Sequence, residues 1–233
     1  MIERGRPPLS RRTLAVEVAD ILRDMILIGD LTPERNMTQD ELARMLGVST
    51  MPVREALLRL AAEGFVEVSP NRAFKVAAIS PGDVRDVYWM HATLAAELTR
   101  RACSAATTEL RAQLAELEGA YTAAVEEGDA DAAERTNWTL HRTINVAADA
   151  PKLLLILRST LRFIPRGFYG LVPGWGPLGQ RGHDEILRAF DAGDAAAAGE
   201  AAAAHVREAG DLLATFFTSR GYWTRPPRPA GDG

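Results

Sequence analysis

Thr38-Gln-Asp-Glu-Leu-Ala-Arg-Met-Leu-Gly-Val-Ser-Thr-Met-Pro-Val-Arg-Glu-Ala-Leu-Leu-Arg-Leu60 reads as two short helices joined by a tight turn. Thr38 and Glu41 have the spacing of a capping box, so a helix starts there, with Leu42, Met45 and Leu46 as its apolar stripe. Gly47 can take the left-handed conformation that ends such a helix. Val48 plugs the turn, and Ser49 is placed to cap the second helix. Pro52 falls in that helix's first turn, where a missing N–H is tolerated because those groups have no intrahelical acceptor. Leu57, Leu58 and Leu60 supply the buried side, leaving Ser49, Thr50, Met51 and Arg54 on the exposed N-terminal part. In a helix-turn-helix this is the part that meets base edges in the major groove.

Two amphipathic helices alone are equally the pattern of any compact helical hairpin, and the next residues narrow the choice. Ala61-Ala-Glu-Gly64 ends the second helix, and Phe65-Val-Glu-Val-Ser69 alternates like a strand. Pro70-Asn-Arg72 is a turn, and Ala73-Phe-Lys-Val-Ala77 is a second strand. Three helices followed by a hairpin is the order of a winged helix. Asn71 and Arg72 then sit at the wing tip, where Arg72 can reach a phosphate or the minor groove.

Residues from about 10 to 78 resemble the DNA-binding domain of GntR-family transcriptional regulators. The resemblance is carried by Leu46-Gly-Val-Ser-Thr-Met-Pro-Val-Arg-Glu-Ala-Leu57 and by Leu60-Ala-Ala-Glu-Gly-Phe-Val66. The family often has Arg where this chain has Thr50, which alters base preference because Arg is the usual bidentate reader of guanine. It often has Gly in place of Ala73, a change that stiffens the wing. Arg54 stands where the family has a DNA-contacting arginine. The candidate DNA contacts are Arg11, Thr38, Gln39, Ser49, Thr50, Met51, Arg54, Asn71 and Arg72.

A net charge of −4 counts against a non-specific coater of nucleic acid. It suits a specific binder whose positive charge is local, and Arg11, Arg12, Arg44, Arg54, Arg59, Arg72 and Lys75 all lie in the first third. At 233 residues, two domains of modest size are expected. One cysteine, Cys103, allows no intrachain disulfide and fits a reducing compartment. No apolar run approaches the roughly 18 residues that span a bilayer, and the N-terminus lacks an apolar signal core. A cytoplasmic protein is expected.

Beyond the wing the chain reads as helix after helix. Ile79-Ser-Pro-Gly-Asp83 is a short linker, with Ser80 placed to cap the next helix. Helices are expected from Asp83 to about Cys103, Thr107 to Glu127 and Ala130 to about Ala148, followed by an apolar stretch from Lys152 to Phe168. The Gly- and Pro-rich segment Gly170 to Gly182 reads as a loop, and the last helices run from His183 and from Ala195. The alanine run near 195–204 is a good helix former whose small side chains permit close packing. The fold class is mainly α, with domains at 10–78 (winged helix-turn-helix) and 83–223 (helical bundle) and a linker at 79–82. Residues 1–9 are expected to be a flexible N-terminus and 224–233 a disordered tail. Asn137-Trp-Thr-Leu-His-Arg-Thr-Ile-Asn145 and His183-Asp-Glu-Ile-Leu-Arg-Ala-Phe-Asp-Ala-Gly-Asp194, running on to His205, resemble the ligand-binding FCD domain of FadR-type GntR regulators. About six helices resemble the VanR-type subgroup more than FadR itself.

His141, His183 and His205 fall on three different helices, and Asn137 lies one turn before His141 on the same face. Three imidazoles converging in a bundle suit a divalent first-row metal ion: Zn, with Ni or Mn as alternatives. In FCD domains such a metal helps hold a small carboxylate, and the fourth protein ligand is commonly Asp, here replaced by Asn137. Taken singly, each histidine is also explained as a hydrogen-bonded core or surface residue. His91 stands where FCD proteins carry an arginine that faces the ligand, and the usual glutamate one turn later is Ala95. His91 and Arg162 are the candidate effector contacts, with Arg166 a further source of positive charge. Trp138, Tyr169 and Trp175 are candidates for the cavity wall.

These observations lead to a DNA-binding transcriptional regulator acting as a repressor. It is expected to bind a palindromic double-stranded operator as a homodimer, to respond to a small carboxylate effector, and to use no membrane. The competing class is a His₃ metalloenzyme with a non-DNA-binding winged helix. Against it, no carboxylate near the site stands out as a general base.

Overall fold

The computed structural model describes residues 10–32, 38–68, 74–164, 167 and 171–221. The expectations for 1–9, the wing-tip turn 69–73, Arg166, Tyr169 and the tail 224–233 lie outside the described residues. The chain divides into two compact units, Met1–Ile79 and Ser80–Gly233.

In the first unit, α1 (Ser10–Ile28) packs on α3 (Thr50–Ala62), with α2 (Gln39–Leu46) also against α3. Leu22 and Ile26 of α1, Leu42 of α2, and Val53, Leu57 and Leu60 of α3 are buried, at the spacing that gives each helix one apolar face. β1 (Val66–Val68) pairs antiparallel with β2 (Phe74–Val76), Val66 opposite Val76 and Val68 opposite Phe74. The fold is thus the expected mainly helical one, beginning with a winged helix-turn-helix. One internal tie was not expected from the sequence. Arg23, buried on α1, donates to Glu63 beyond the end of α3 (2.7 Å) and to Asp20 (2.6 Å), fastening the outer helix to the wing side of the unit.

Local chemistry sets the helix boundaries. The Thr38 amide donates to Glu41 Oε2 (2.8 Å) and the Glu41 amide to Thr38 Oγ1 (3.2 Å), a reciprocal capping box. Gly47 ends α2 at φ 66°, a left-handed position where a side chain would be strained. Ser49 stands at the N-cap of α3, but its side chain makes no capping hydrogen bond, contrary to expectation. Met45 and Leu58 were expected on buried stripes and are instead 46% and 49% exposed. Leu42 and Ala43 together centre the buried face of α2 away from Met45, and Leu58 lies one position off the face of Leu57 and Leu60, so both are turned to solvent.

The second unit holds six α-helices among the described residues: α4 (Pro81–Ser104), α5 (Thr108–Glu127), α6 (Ala130–Ala147), α7 (Pro151–Thr160), α8 (Trp175–Ala192) and α9 (Ala195–Ser219). A 3₁₀ turn, Leu161–Phe163, follows α7. Ser80 and Asp83 form a second capping box at the start of α4. The longest packing is between α4 and α9, and small residues make it possible. A Cβ on Gly199 would lie 3.0 Å from the Ala96 carbonyl oxygen, and one on Gly210 would lie 2.6 Å from the Tyr88 ring. Buried Ala198, Ala202, Ala203 and Ala209 continue that close face, the role expected of the alanine run.

The expected loop from Gly170 to Gly182 is a correction, because α8 begins at Trp175. Pro177 falls in its first turn, and its glycines face neighbouring side chains rather than breaking the helix. No helix among the described residues is long and apolar enough to cross a membrane.

Candidate functional site

In the first unit, the residues expected to contact DNA from the second helix of the motif cluster at the exposed N-terminal end of α3. Pro52, Val53, Ala56 and Leu57 face inward, which forces Ser49, Thr50, Met51 and Arg54 outward, with Met51 61% exposed. Gln39 is half-buried at the start of α2, and Thr38 is exposed but engaged with Glu41 in the capping box. Arg11 falls in the first turn of α1. Asn71 and Arg72 lie outside the described residues.

In the second unit, α6, α8 and α9 bring His141, His183 and His205 together, with one nitrogen of each ring within 4.8 Å of the others. His183 Nε2 stands 3.3 Å from His141 Nε2. Two ligands on a tetrahedral zinc at 2.0–2.1 Å are about 3.3 Å apart, so this edge already has the required length. The His141 and His205 rings are nearly parallel, 18° apart with centroids 5.2 Å apart. Burial, reinforced by the neighbouring histidines, holds His141 and His205 well below the ordinary imidazole range, and burial lowers His183 to about 4. All three are therefore neutral at physiological pH, the state that offers a lone pair to a metal.

Two glycines of α8 create the room. A Cβ at Gly182 would lie 2.1 Å from His205 Nδ1, and one at Gly179 would lie 2.0 Å from the Tyr121 hydroxyl oxygen. The Tyr121 ring packs against the His183 ring at 4.8 Å, and its hydroxyl donates to the Gly176 carbonyl (3.1 Å). Behind His183 stands Glu118 of α5, buried, with Oε2 2.6 Å from His183 Nδ1. The sequence reading, which found no carboxylate near the site standing out as a general base, did not single out Glu118. Burial pushes the Glu118 carboxyl up to about 8. The signal for it was available: Glu118 lies four residues after Leu114 and three before Tyr121, on the buried stripe itself.

His141 and His205 form part of the wall of a cavity of about 290 Å³. Asn137, Trp138, Trp175, Tyr88 and His91 also line it, which brings most of the expected wall and ligand residues to one place. Arg162 is exposed on the 3₁₀ turn and does not line the cavity; Arg142 and Arg158 do, and they are the cations the sequence reading missed. Arg142 follows His141 directly, and Arg158 is the one charge late in the apolar run of α7. The cavity contains three buried polar atoms without a hydrogen-bond partner: Tyr88 Oη, His91 Nδ1 and His205 Nδ1. Burial lowers His91 to about 4, so it is a neutral hydrogen-bonding group and not a cation. The donor set fits a first-row divalent ion. Three neutral imidazoles converge, and unsatisfied polar atoms beside them call for a further ligand.

A winged helix-turn-helix unit followed by a helical bundle is the organisation of a two-domain transcriptional regulator. Residues 14–76 match the family described as bacterial regulatory proteins, gntR family, and residues 86–208 match the FCD domain. The chain belongs to the GntR family, with an FCD domain as its second unit. It is 27% identical over 194 residues to the HTH-type transcriptional regulator McbR of Escherichia coli K12, covering 82% of this chain and 88% of that protein. An HTH-type regulator of Streptomyces ambofaciens is 41% identical over 69 residues, a match spanning 30% of this chain and 29% of that protein. The solved structure of E. coli McbR/YncC superposes with a TM-score of 0.66 at 24% identity, covering 88% of this chain and 98% of that one. The relatives it matches are named as transcriptional regulators, and this chain is a DNA-binding regulator and not an enzyme.

Proposed function

We propose that the protein is a repressor that binds a palindromic operator as a homodimer in the cytoplasm and is released by a small carboxylate held beside a metal ion in its FCD domain. The reading is carried by one observation: neutral His141, His183 and His205 converge, and His141 and His205 line a cavity in which Tyr88 Oη, His91 Nδ1 and His205 Nδ1 are buried without a hydrogen-bond partner. His141, His183 and His205 would hold the ion, with Asn137 as a weaker fourth ligand through its neutral carbonyl. The ion, when bound, supplies a positive centre that attracts a carboxylate. Arg142 and Arg158 add positive charge to the cavity wall, and His91 and Tyr88 offer hydrogen bonds to the remainder of the effector. Arg54 and its neighbours on α3 would read the operator. Trp89 and Met90, 64% and 44% exposed on α4, leave apolar surface suited to a second copy of this chain.

The experiment pairs elemental analysis of protein purified without chelator with gel shifts on its own promoter region. One divalent ion per chain, lost in His141→Ala, and operator binding weakened by a carboxylate only in the metal-loaded wild type are the expected results. Equally little metal in wild type and variant after reconstitution with zinc, nickel and manganese would remove the metal from the reading and leave the DNA-binding function standing.

A further inference from the structure

The FCD unit buries one carboxylate against its histidine cluster, and nothing in the packing of α5 against α8 requires it. Around it the contact is apolar: Leu114, Tyr121 and Ala124 on α5 are buried, and a leucine at 118 would continue that face. A charged side chain in such a place is costly unless it has a specific partner. Glu118 has one. Its Oε2 lies 2.6 Å from His183 Nδ1, its Oε1 accepts from Thr122 Oγ1 at 3.3 Å, and the His183 side chain is fully buried.

We infer that Glu118 is a positioning residue that fixes the orientation and tautomer of His183. When Nδ1–H donates to Glu118 Oε2, the proton is held on the α5 side of the ring. Nε2, already 3.3 Å from His141 Nε2, then presents its lone pair toward the cluster. Among the described residues His183 has Glu118 against Nδ1 and His141 against Nε2, while Tyr121 donates its hydroxyl to Gly176 and meets His183 through its ring.

The inference rests on the metal-site reading above, and the test separates the two. Zinc affinity is measured by competition with a chromogenic chelator for the full-length wild type, Glu118→Gln and Glu118→Leu, alongside thermal unfolding of the metal-free forms. Glu118→Leu removes the hydrogen bond that orients His183, and its zinc affinity is expected to fall about 10–100-fold. Glu118→Gln keeps the volume and an acceptor oxygen and is expected to fall by less. In the metal-free state Glu118→Leu should be as stable as wild type or more so, since an apolar side chain replaces a buried carboxylate. A merely structural Glu118 gives the reverse pattern: a less stable metal-free variant with unchanged zinc affinity. Wild-type zinc binding with all three affinities equal overturns the inference and leaves the site. Absence of zinc binding in the wild type overturns both. Imidazole nitrogen spectra of the zinc-loaded wild type supply the independent signature, a proton on His183 Nδ1; a proton on Nε2 overturns the assignment.

Discussion

Gly182→Ala is the most sensitive probe of how the cluster is assembled. The added Cβ would stand 2.1 Å from His205 Nδ1, 2.6 Å from Cγ and 2.9 Å from Cβ, all under any tolerable contact. These are ring and root atoms, so no flexible tip can swing away. To restore ordinary separation, His205 or one of α8 and α9 must move by more than an ångström. Overpacking of this kind costs about 1–3 kcal/mol. At about 2–4 °C per kcal/mol for a domain of this size, the unfolding transition of the FCD unit should fall by about 2–12 °C. Metal binding should suffer more than stability, because ligand distances are held to within about 0.2 Å in a working site. Gly119→Ala is the matched control: it is helical and exposed, a Cβ there meets nothing within 4 Å, and it should gain up to about 1 kcal/mol. Calorimetry with and without zinc reads both variants. If Gly182→Ala unfolds at the wild-type temperature and takes up zinc with wild-type affinity, the close approach of α8 to His205 is not what shapes the site.

Other consequences are more direct. Arg54→Ala should weaken operator binding by about 1–3 kcal/mol in a gel shift if the guanidinium makes a bidentate base contact, with the fold intact by circular dichroism; unchanged affinity removes that role. Asn137→Asp should tighten zinc binding about tenfold or more, since a unit charge 4 Å from another gains about 1 kcal/mol even in water and the ion carries two; an unchanged affinity would place Asn137 outside the coordination sphere. Metal-free protein should lose stability as pH falls from about 6.5 to 4. His91 and His183 titrate near 4 when folded and at 6.5 when unfolded, so the unfolded chain binds protons first, at a cost on the order of 3 kcal/mol per group over the window. Glu118 acts in the opposite sense: raised from 4.5 to about 8, its contribution is lost as pH rises through that range, so stability should peak near pH 6.5. Denaturant midpoints that stay flat from pH 4.5 to 8 would contradict both assignments.

The head of the protein was legible because its boundaries are set by neighbours in sequence. Thr38 with Glu41 and Gly47 each define a turn through contacts spanning five residues or fewer, and alternation in 65–77 announces the two short strands. The start of α8 was illegible for the opposite reason. Glycines and a proline between residues 174 and 182 carry the composition of a loop. In the folded chain, Gly176, Gly179 and Gly182 are small because Val125, Tyr121 and His205 press against them from α5 and α9. Packing partners more than 50 residues away in one direction and more than 20 in the other decide that segment, and no local pattern reports them. The histidines were found by residue type, whereas Glu118 was passed over because glutamate on a helix is ordinarily solvated. Arg162 was chosen over Arg142 and Arg158 because helix phase after α7 depends on a 3₁₀ turn that shifts which side chains face the cavity.

The same residues that were hardest to read explain why a sensory domain would be built this way. A bundle of this size could close over alanine and leucine alone, yet this one encloses three unpartnered polar atoms, a neutral histidine triad and a carboxylate. Each buried group without a partner costs about 1–3 kcal/mol. The empty domain is therefore less stable than its apolar contacts permit, and the deficit is concentrated at the cavity wall contributed by α4, α6 and α9. Whatever fills the cavity and satisfies Tyr88, His91 and His205 stabilises those helices by mass action, in proportion to its concentration over its dissociation constant. Occupancy and helix order thus become one variable. Because linkage is reciprocal, any coupling of that variable to operator affinity requires operator DNA to alter effector affinity by the same factor. An apolar core would have no such variable to couple.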